Sequence, residues 1–230
     1  MDQPRPAAIR RYVQSATLTL LLGAIAPVLV LSGCSSAYYN TMEKFGVHKR
    51  DIMVDRVKEA RDAQTEAKEQ FKSALEQFTE VVQVKGGNLE AQYNKLNSEY
   101  ERSKGKAEQV HERIDAVESV SEALFREWRA ELKEYSNTSL RQDSERKLET
   151  TRRQYEQLIT AMKRAESKIQ PVLTVFHDQV LYLKHNLNAQ AIASLQGEML
   201  SLERNVDQLI REMEESIREA DLFITRLQQN

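Results

Sequence analysis

The sequence holds one cysteine, Cys34, in 230 residues. A disulfide framework is excluded, so stability has to come from packing. There are four prolines, Pro4, Pro6, Pro27 and Pro171, and only Pro171 falls after residue 27. Glycines number seven and tryptophans one. So few breakers leave long stretches free to be helical. No window alternates with the two-residue period of a strand. Neither sign of charge prevails, with 33 basic and 35 acidic residues. That excludes the basic excess needed to hold a nucleic-acid backbone. No phosphate-cradling G-x-x-x-x-G-K-[ST] run occurs: Ser103-Lys104-Gly105-Lys106 lacks the upstream glycine and the final hydroxyl residue. Neither nucleic acid nor nucleotide is expected as a partner.

The one long uncharged stretch runs from Tyr12 to Met42. Arg5, Arg10 and Arg11 precede it, Thr17 to Val30 form its apolar centre, and small residues close it. A basic start, apolar middle and small-residue exit make a secretory signal peptide, expected over residues 1–33. The closing tetrad, Leu31-Ser32-Gly33-Cys34, resembles the bacterial lipobox. The resemblance implies cleavage before Cys34, lipidation of its thiol, and three acyl chains. Since each buried CH₂ contributes about 0.8 kcal/mol, several chains hold where one does not. An uncleaved membrane-spanning helix is the competing reading, because the stretch is long enough. Pro27 and the polar residues after Leu31 count against it. Ser35 stands where an aspartate would resemble an inner-membrane retention signal, so the expected location is the outer membrane, facing the periplasm. Three arginines and Asp2 precede Cys34, leaving 30 basic and 34 acidic residues, a net of −4.

From residue 51 onward the pattern is helical. Residues 34–50 read as a tether with Gly46 as a breaker, and Asp51 as an N-cap. Val57, Ala60, Gln64, Ala67, Phe71, Ala74, Phe78 and Val81 alternate steps of three and four, the rhythm of a packed helix. Gly86-Gly87-Asn88 ends it. The next seam keeps strict 4-3 steps from Leu89 to Trp128, which predicts a left-handed supercoil. Ser139 with Gln142 reads as a capping box for a third helix. Inside that helix Pro171 removes a backbone donor, and the seam shifts by one beside it, which fits a kink better than a reversal. Asn186-Leu187-Asn188 reads as the next turn, whether or not it reverses the chain fully. The last seam runs from Ile192 to Leu227 with a 4-4 stutter from Met213 to Ile217. Exposed pairs at i,i+4, such as Glu214/Arg218, describe solvated faces. The expected fold is all-α: an elongated antiparallel bundle or coiled coil of about four helices, near 51–84, 89–135, 139–187 and 189–228, forming one domain over 51–230.

These lengths are unequal. The second and third helices outrun the first, so a hairpin tip near residues 125–148 projects by roughly 20 Å, at 1.5 Å per residue, at the end that carries the lipid. Phe125, Trp128 and Tyr135 lie there among Arg126, Arg129, Lys133, Arg141, Arg146 and Lys147. Aromatics with basic neighbours suit a membrane interface. Leu124 and Trp128 also fit the seam, and packing against the third helix is the simpler role for them. Trp128 and Tyr135 at the tip, and His185, Asn186 and Asn188 at the polar turn, are the candidate membrane or partner contacts. His177 and His185, eight apart, are too far for a simple i,i+4 metal site; His48 and His111 stand alone. No catalytic residue, cofactor or metal ion is expected.

The runs Ser36-Ala37-Tyr38-Tyr39, Glu43 to Asp51, Asp55-Arg56-Val57, Ala60 to Gln64, Leu183 to Asn188 and Ser194 to Gly197 resemble an uncharacterised family of bacterial coiled-coil lipoproteins. That resemblance supplies no activity and no functional residue. The resulting expectation is a non-enzymatic, lipid-anchored periplasmic protein, structural or adaptor in role. It is expected to meet the membrane through its anchor, and to meet an envelope protein or a second copy of itself. A membrane-shaping or membrane-bridging rod is the first alternative, and an enzyme or metal-binding protein the second. A heptad seam does not reveal whether its partner helix belongs to the same chain.

Overall fold

A computed structural model describes Tyr39, Met42 and residues 46–83, 88–186 and 188–229. The chain divides into two units, Met1–Gly33 and Cys34–Asn230, and the fold is that of the second. The leader expected over 1–33, and Cys34 with it, lie outside the described residues.

Four helices make the fold: α1 (Lys49–Gln83), α2 (Leu89–Glu131), α3 (Thr138–His185) and α4 (Ala189–Gln229). Each helix packs on its neighbours in the chain, and α1 also packs on α4, so the four close into a ring. Charged pairs across the seams give the direction. Glu59 and Glu66 of α1 meet Arg113 and Lys106 of α2. Arg61 and Lys68 of α1 meet Asp221 and Glu214 of α4. In each set one number rises as the other falls, so the neighbours are antiparallel. This is the all-α antiparallel bundle expected from the heptads.

The core is the predicted seam. Val57, Ala60, Gln64, Ala67, Phe71, Ala74, Phe78 and Val81 are all buried. Phe78 of α1 reaches diagonally to Phe176 of α3, edge to face with ring centres 6.0 Å apart. Burying a side chain of this size contributes about 1.5–3 kcal/mol. On α4 the expected stutter is absent. The buried positions run Met213, Ser216, Ala220 and Phe223, an unbroken heptad rhythm with a serine on the seam. The apolar Ile217 beside Ser216, which suggested the stutter, is only half-buried.

Pro171 lies inside α3, which continues to His185. It sits on the exposed face, as does Ser167, whose carbonyl loses its helical donor. The chain therefore does not reverse at Pro171. It reverses at Asn186–Asn188, after which α4 runs back along α3, with Arg164 and Glu212 paired between them.

Helix ends differ from expectation in three places. Asn88 caps α2 as expected, accepting from the Ala91 amide. At α3 the cap is Asn137, not Ser139: its carboxamide oxygen accepts from the amides of Ser139 and Leu140 at 2.9 and 3.1 Å. It sits one residue ahead of the helix, so Ser139 falls inside the first turn. α2 ends at Glu131 rather than near 135, its chain tightening into i→i+3 bonds from Lys133 and Glu134. At α1 the first carbonyl belongs to His48, which accepts from Asp51 and Ile52, so Asp51 is a first-turn residue and not the cap.

Just ahead of α1 the chain is folded. The Val47 amide donates to the Met42 carbonyl at 3.1 Å, and Gly46 between them has φ +80°. Met42 and Val47 both rest on the core. Tyr39 is buried, and its hydroxyl donates to Ser119 of α2 at 3.2 Å. The segment expected as a tether over 34–50 is therefore held to the bundle at Tyr39 and again from Met42.

Candidate functional site

The end of the bundle nearest Lys49 is uneven. Lys49 meets Glu127 of α2 at 2.9 Å, and Arg50 meets the Leu227 carbonyl of α4. Beyond that level only the α2–α3 hairpin continues. From Arg129 to Lys147 no residue is buried, whereas Leu124, Phe125, Leu148 and Thr151 are. An overhang is present, but it is shorter than the helix lengths predicted: from Glu127, which pairs with Lys49, α2 runs only to Glu131, about 6 Å, before the turn.

Its aromatic residues divide by role. Phe125 is buried and meets Tyr155 edge to face, centres 5.5 Å apart. Trp128 is half-buried against the core, and its indole N–H donates to Ser144 at 2.8 Å. Trp128 thus closes the hairpin, the simpler of its two expected roles. Tyr135 is exposed at the tip, with Leu140, at 58% exposure, just beyond it on α3. Sequence reasoning did not single out Leu140, because it lies off the seam and is not aromatic.

At the opposite end the polar turn is built of caps. The Asn186 carboxamide donates to the Tyr182 carbonyl at 3.0 Å, and the Asn188 amide donates to the Asn186 carbonyl at 2.8 Å. His185 is exposed beside Lys184 in the last turn of α3, where positive charge complements the helix dipole. These contacts account for Asn186 and Asn188 as turn-formers.

The histidines are dispersed. His177 is tilted against Tyr100 with ring centres 5.2 Å apart. His111 joins α2 to α3: its Nδ1 lies 2.6 Å from Glu166, and its Nε2 lies 3.5 Å from Asp115. The hydrogen bond to Glu166, then the charges of Asp115 and Glu166, raise the His111 pKa above its ordinary value. Lys163 completes this clasp with Asp115, Glu118 and Glu166. Partial burial pulls its pKa down, but the bond to Glu118 and the surrounding carboxylates outweigh that and push it up to about 12. Among the described residues no three His, Cys, Asp or Glu side chains converge to hold a metal ion. Surface grooves are open and mixed in charge, such as the one between α3 and α4 lined by Arg153, Glu156, Arg164 and Glu219.

Three buried polar groups were not foreseen. Glu99 accepts from Gln70 at 2.7 Å and pairs with Arg102. Lys49 is buried on Glu127. Ser216 Oγ, like both amide atoms of Gln64, is buried without a hydrogen-bond partner. Arg61–Asp221 and Lys68–Glu214 bracket Gln64 and Ser216, placing them at one level of the α1–α4 seam.

Ring order, seams and overhang define an antiparallel all-α four-helix bundle with an extended hairpin. The chain matches, over residues 38–227, the family described as protein of unknown function (DUF2959), and it belongs to that family. No curated protein and no solved structure matches it.

Proposed function

We propose that this protein is a lipid-anchored component of the cell envelope, held at Cys34 on the periplasmic face of the outer membrane. In this reading it is non-enzymatic and acts as a structural or adaptor element. One observation carries it: the sole cysteine closes an apolar leader, five residues ahead of Tyr39, where the packed bundle begins. The division of the chain between Gly33 and Cys34 and the family match from residue 38 support a boundary in this place. Such a protein works by being placed and by touching others, through charged helix faces rather than a cleft.

The test is the mass of the N-terminal peptide from membrane fractions. A peptide that starts at Cys34 and carries acyl mass, lost in Cys34→Ala together with membrane attachment, is the expected result. An intact leader, or an unmodified thiol in membrane-bound protein, overturns the proposal. Crosslinking in cells followed by pull-down then tests the adaptor role, which fails if no envelope protein and no second copy is recovered.

A further inference from the structure

We infer that the α2–α3 hairpin tip is a membrane-contacting element, held tip-first on the bilayer surface with Leu140 and Tyr135 at headgroup depth. This rests on lipidation at Cys34. Tyr39, through its bond to Ser119, pins the chain to the side of α2. Only five residue steps separate Cys34 from Tyr39. A fully extended chain covers at most about 3.6 Å per residue, so the bilayer surface lies within about 18 Å of the Tyr39 backbone. Had the whole segment 34–50 been free, no such limit would hold.

Along α2 the two directions from Ser119 are unequal. Toward the tip, the helix to Leu132 adds about 20 Å, with the turn of residues 133–137 beyond it. Toward the other end, Leu89 is about 45 Å away at 1.5 Å per residue. Standing with that far end down would drive the bundle deep into lipid, and no described helix is long and apolar enough to cross a membrane. Standing tip-down brings the hairpin just to the surface. Both ends expose apolar side chains, Tyr135 and Leu140 at the tip and Leu181 and Tyr182 at the other end. The tether reaches only the first pair. There Lys133 and Arg141, both exposed, flank the aromatic and the leucine. Glu131 and Glu134 are exposed there too, so the tip carries both signs of charge. An apolar pair with a lysine and an arginine beside it suits the headgroup region, where phosphates meet the acyl boundary.

The experiment uses the full acylated chain in phosphatidylethanolamine–phosphatidylglycerol vesicles that contain lipids with brominated acyl chains. A fluorescent label is placed at Ser136→Cys or at Glu90→Cys, exposed positions at opposite ends that leave Tyr135, Leu140 and the core in place. The tip label should lose at least half of its emission to the brominated lipid, and the Glu90 label less than a tenth. Equal quenching at both sites means the bundle lies flat and overturns the inference, as does no quenching at either. The mass of the same sample keeps the two claims apart. Acylated chain with an unquenched tip label defeats this inference alone, while chain without acyl mass defeats the anchor and the inference together.

Discussion

Lys49 Nζ donates to Glu127 Oε1 at 2.9 Å, with the lysine side chain almost wholly buried and the glutamate near the surface. The pair ties the first turn of α1 to α2 at the end of the bundle where α1 and α4 give out. Removing only the glutamate takes a carboxylate away from a buried ammonium. Glu127→Ala is expected to cost about 2 kcal/mol, in the range for hydrogen bonds to charged groups. Replacing both together, as Lys49→Met with Glu127→Leu, should be nearly neutral, because the desolvation penalty goes with the pair. Urea unfolding of the three proteins measures both values, and equal losses in the single and double variants would refute the asymmetry.

Gln64 is the opposite case. Its amide is buried on the α1–α4 seam with both polar atoms unpaired. Gln64→Leu keeps the volume and removes the penalty. The expected gain is about 1 kcal/mol, at the low end of the cost of an unsatisfied buried group. A loss of stability in the same unfolding experiment would mean that the amide is satisfied in solution.

Phe78 and Phe176 touch across the bundle, so their losses should not add. Each Phe→Ala change is expected to cost about 3–5 kcal/mol. The double variant should fall short of the sum by about 1 kcal/mol, the worth of an edge-to-face pair beyond its area. A double-mutant cycle reads the difference directly.

His111 makes the α2–α3 clasp sensitive to pH. Its folded pKa is raised above 6.5, first by the hydrogen bond to Glu166. A raised pKa stabilises the fold fully below the unfolded value and ceases to do so as pH climbs through the folded one. Melting temperature should therefore decline slightly from pH 5.5 to pH 8.5, a trend weakened by salt and absent in His111→Gln. The effect is small because the ring is 60% exposed and water screens its partners.

Asn137 holds two amides of α3 at once. Asn137→Ala is expected to cost about 1 kcal/mol, the usual worth of an N-cap, whereas Ser139→Ala should change stability little. Reversed magnitudes would restore Ser139 as the cap.

Heptad spacing made most of the bundle legible. It placed even Gln64 on the seam, since the residues on either side set the rhythm. Ser216 was not legible by the same counting, and skipping it created a stutter that the chain does not have. Asn137 and Ser139 show a second limit. Both side chains suit a cap, and only the backbone path decides which precedes the first turn. Tyr39 shows a third, because its partner is 80 residues away and no local spacing points to it. Long-range ion pairs were invisible for the same reason: Glu214, expected to face Arg218, meets Lys68, while Arg218 takes Glu215. At the candidate site, helix lengths disclosed the overhang, but not that Trp128 would be consumed in closing it.

The contact of α1 with α4 has a bearing on how the chain matures. The α2–α3 hairpin can assemble from neighbouring sequence as soon as both its arms are present. The gap between α1 and α3 cannot be filled until the final helix arrives, since Gln196 and Asp221 supply partners to Val82 and Arg61. A chain delivered amino-terminus first would wait with an apolar stripe uncovered until its last forty or so residues had followed. Any truncation within α4 prolongs that wait indefinitely, and marks the carboxyl-terminal helix as the step that ends exposure to chaperones and proteases.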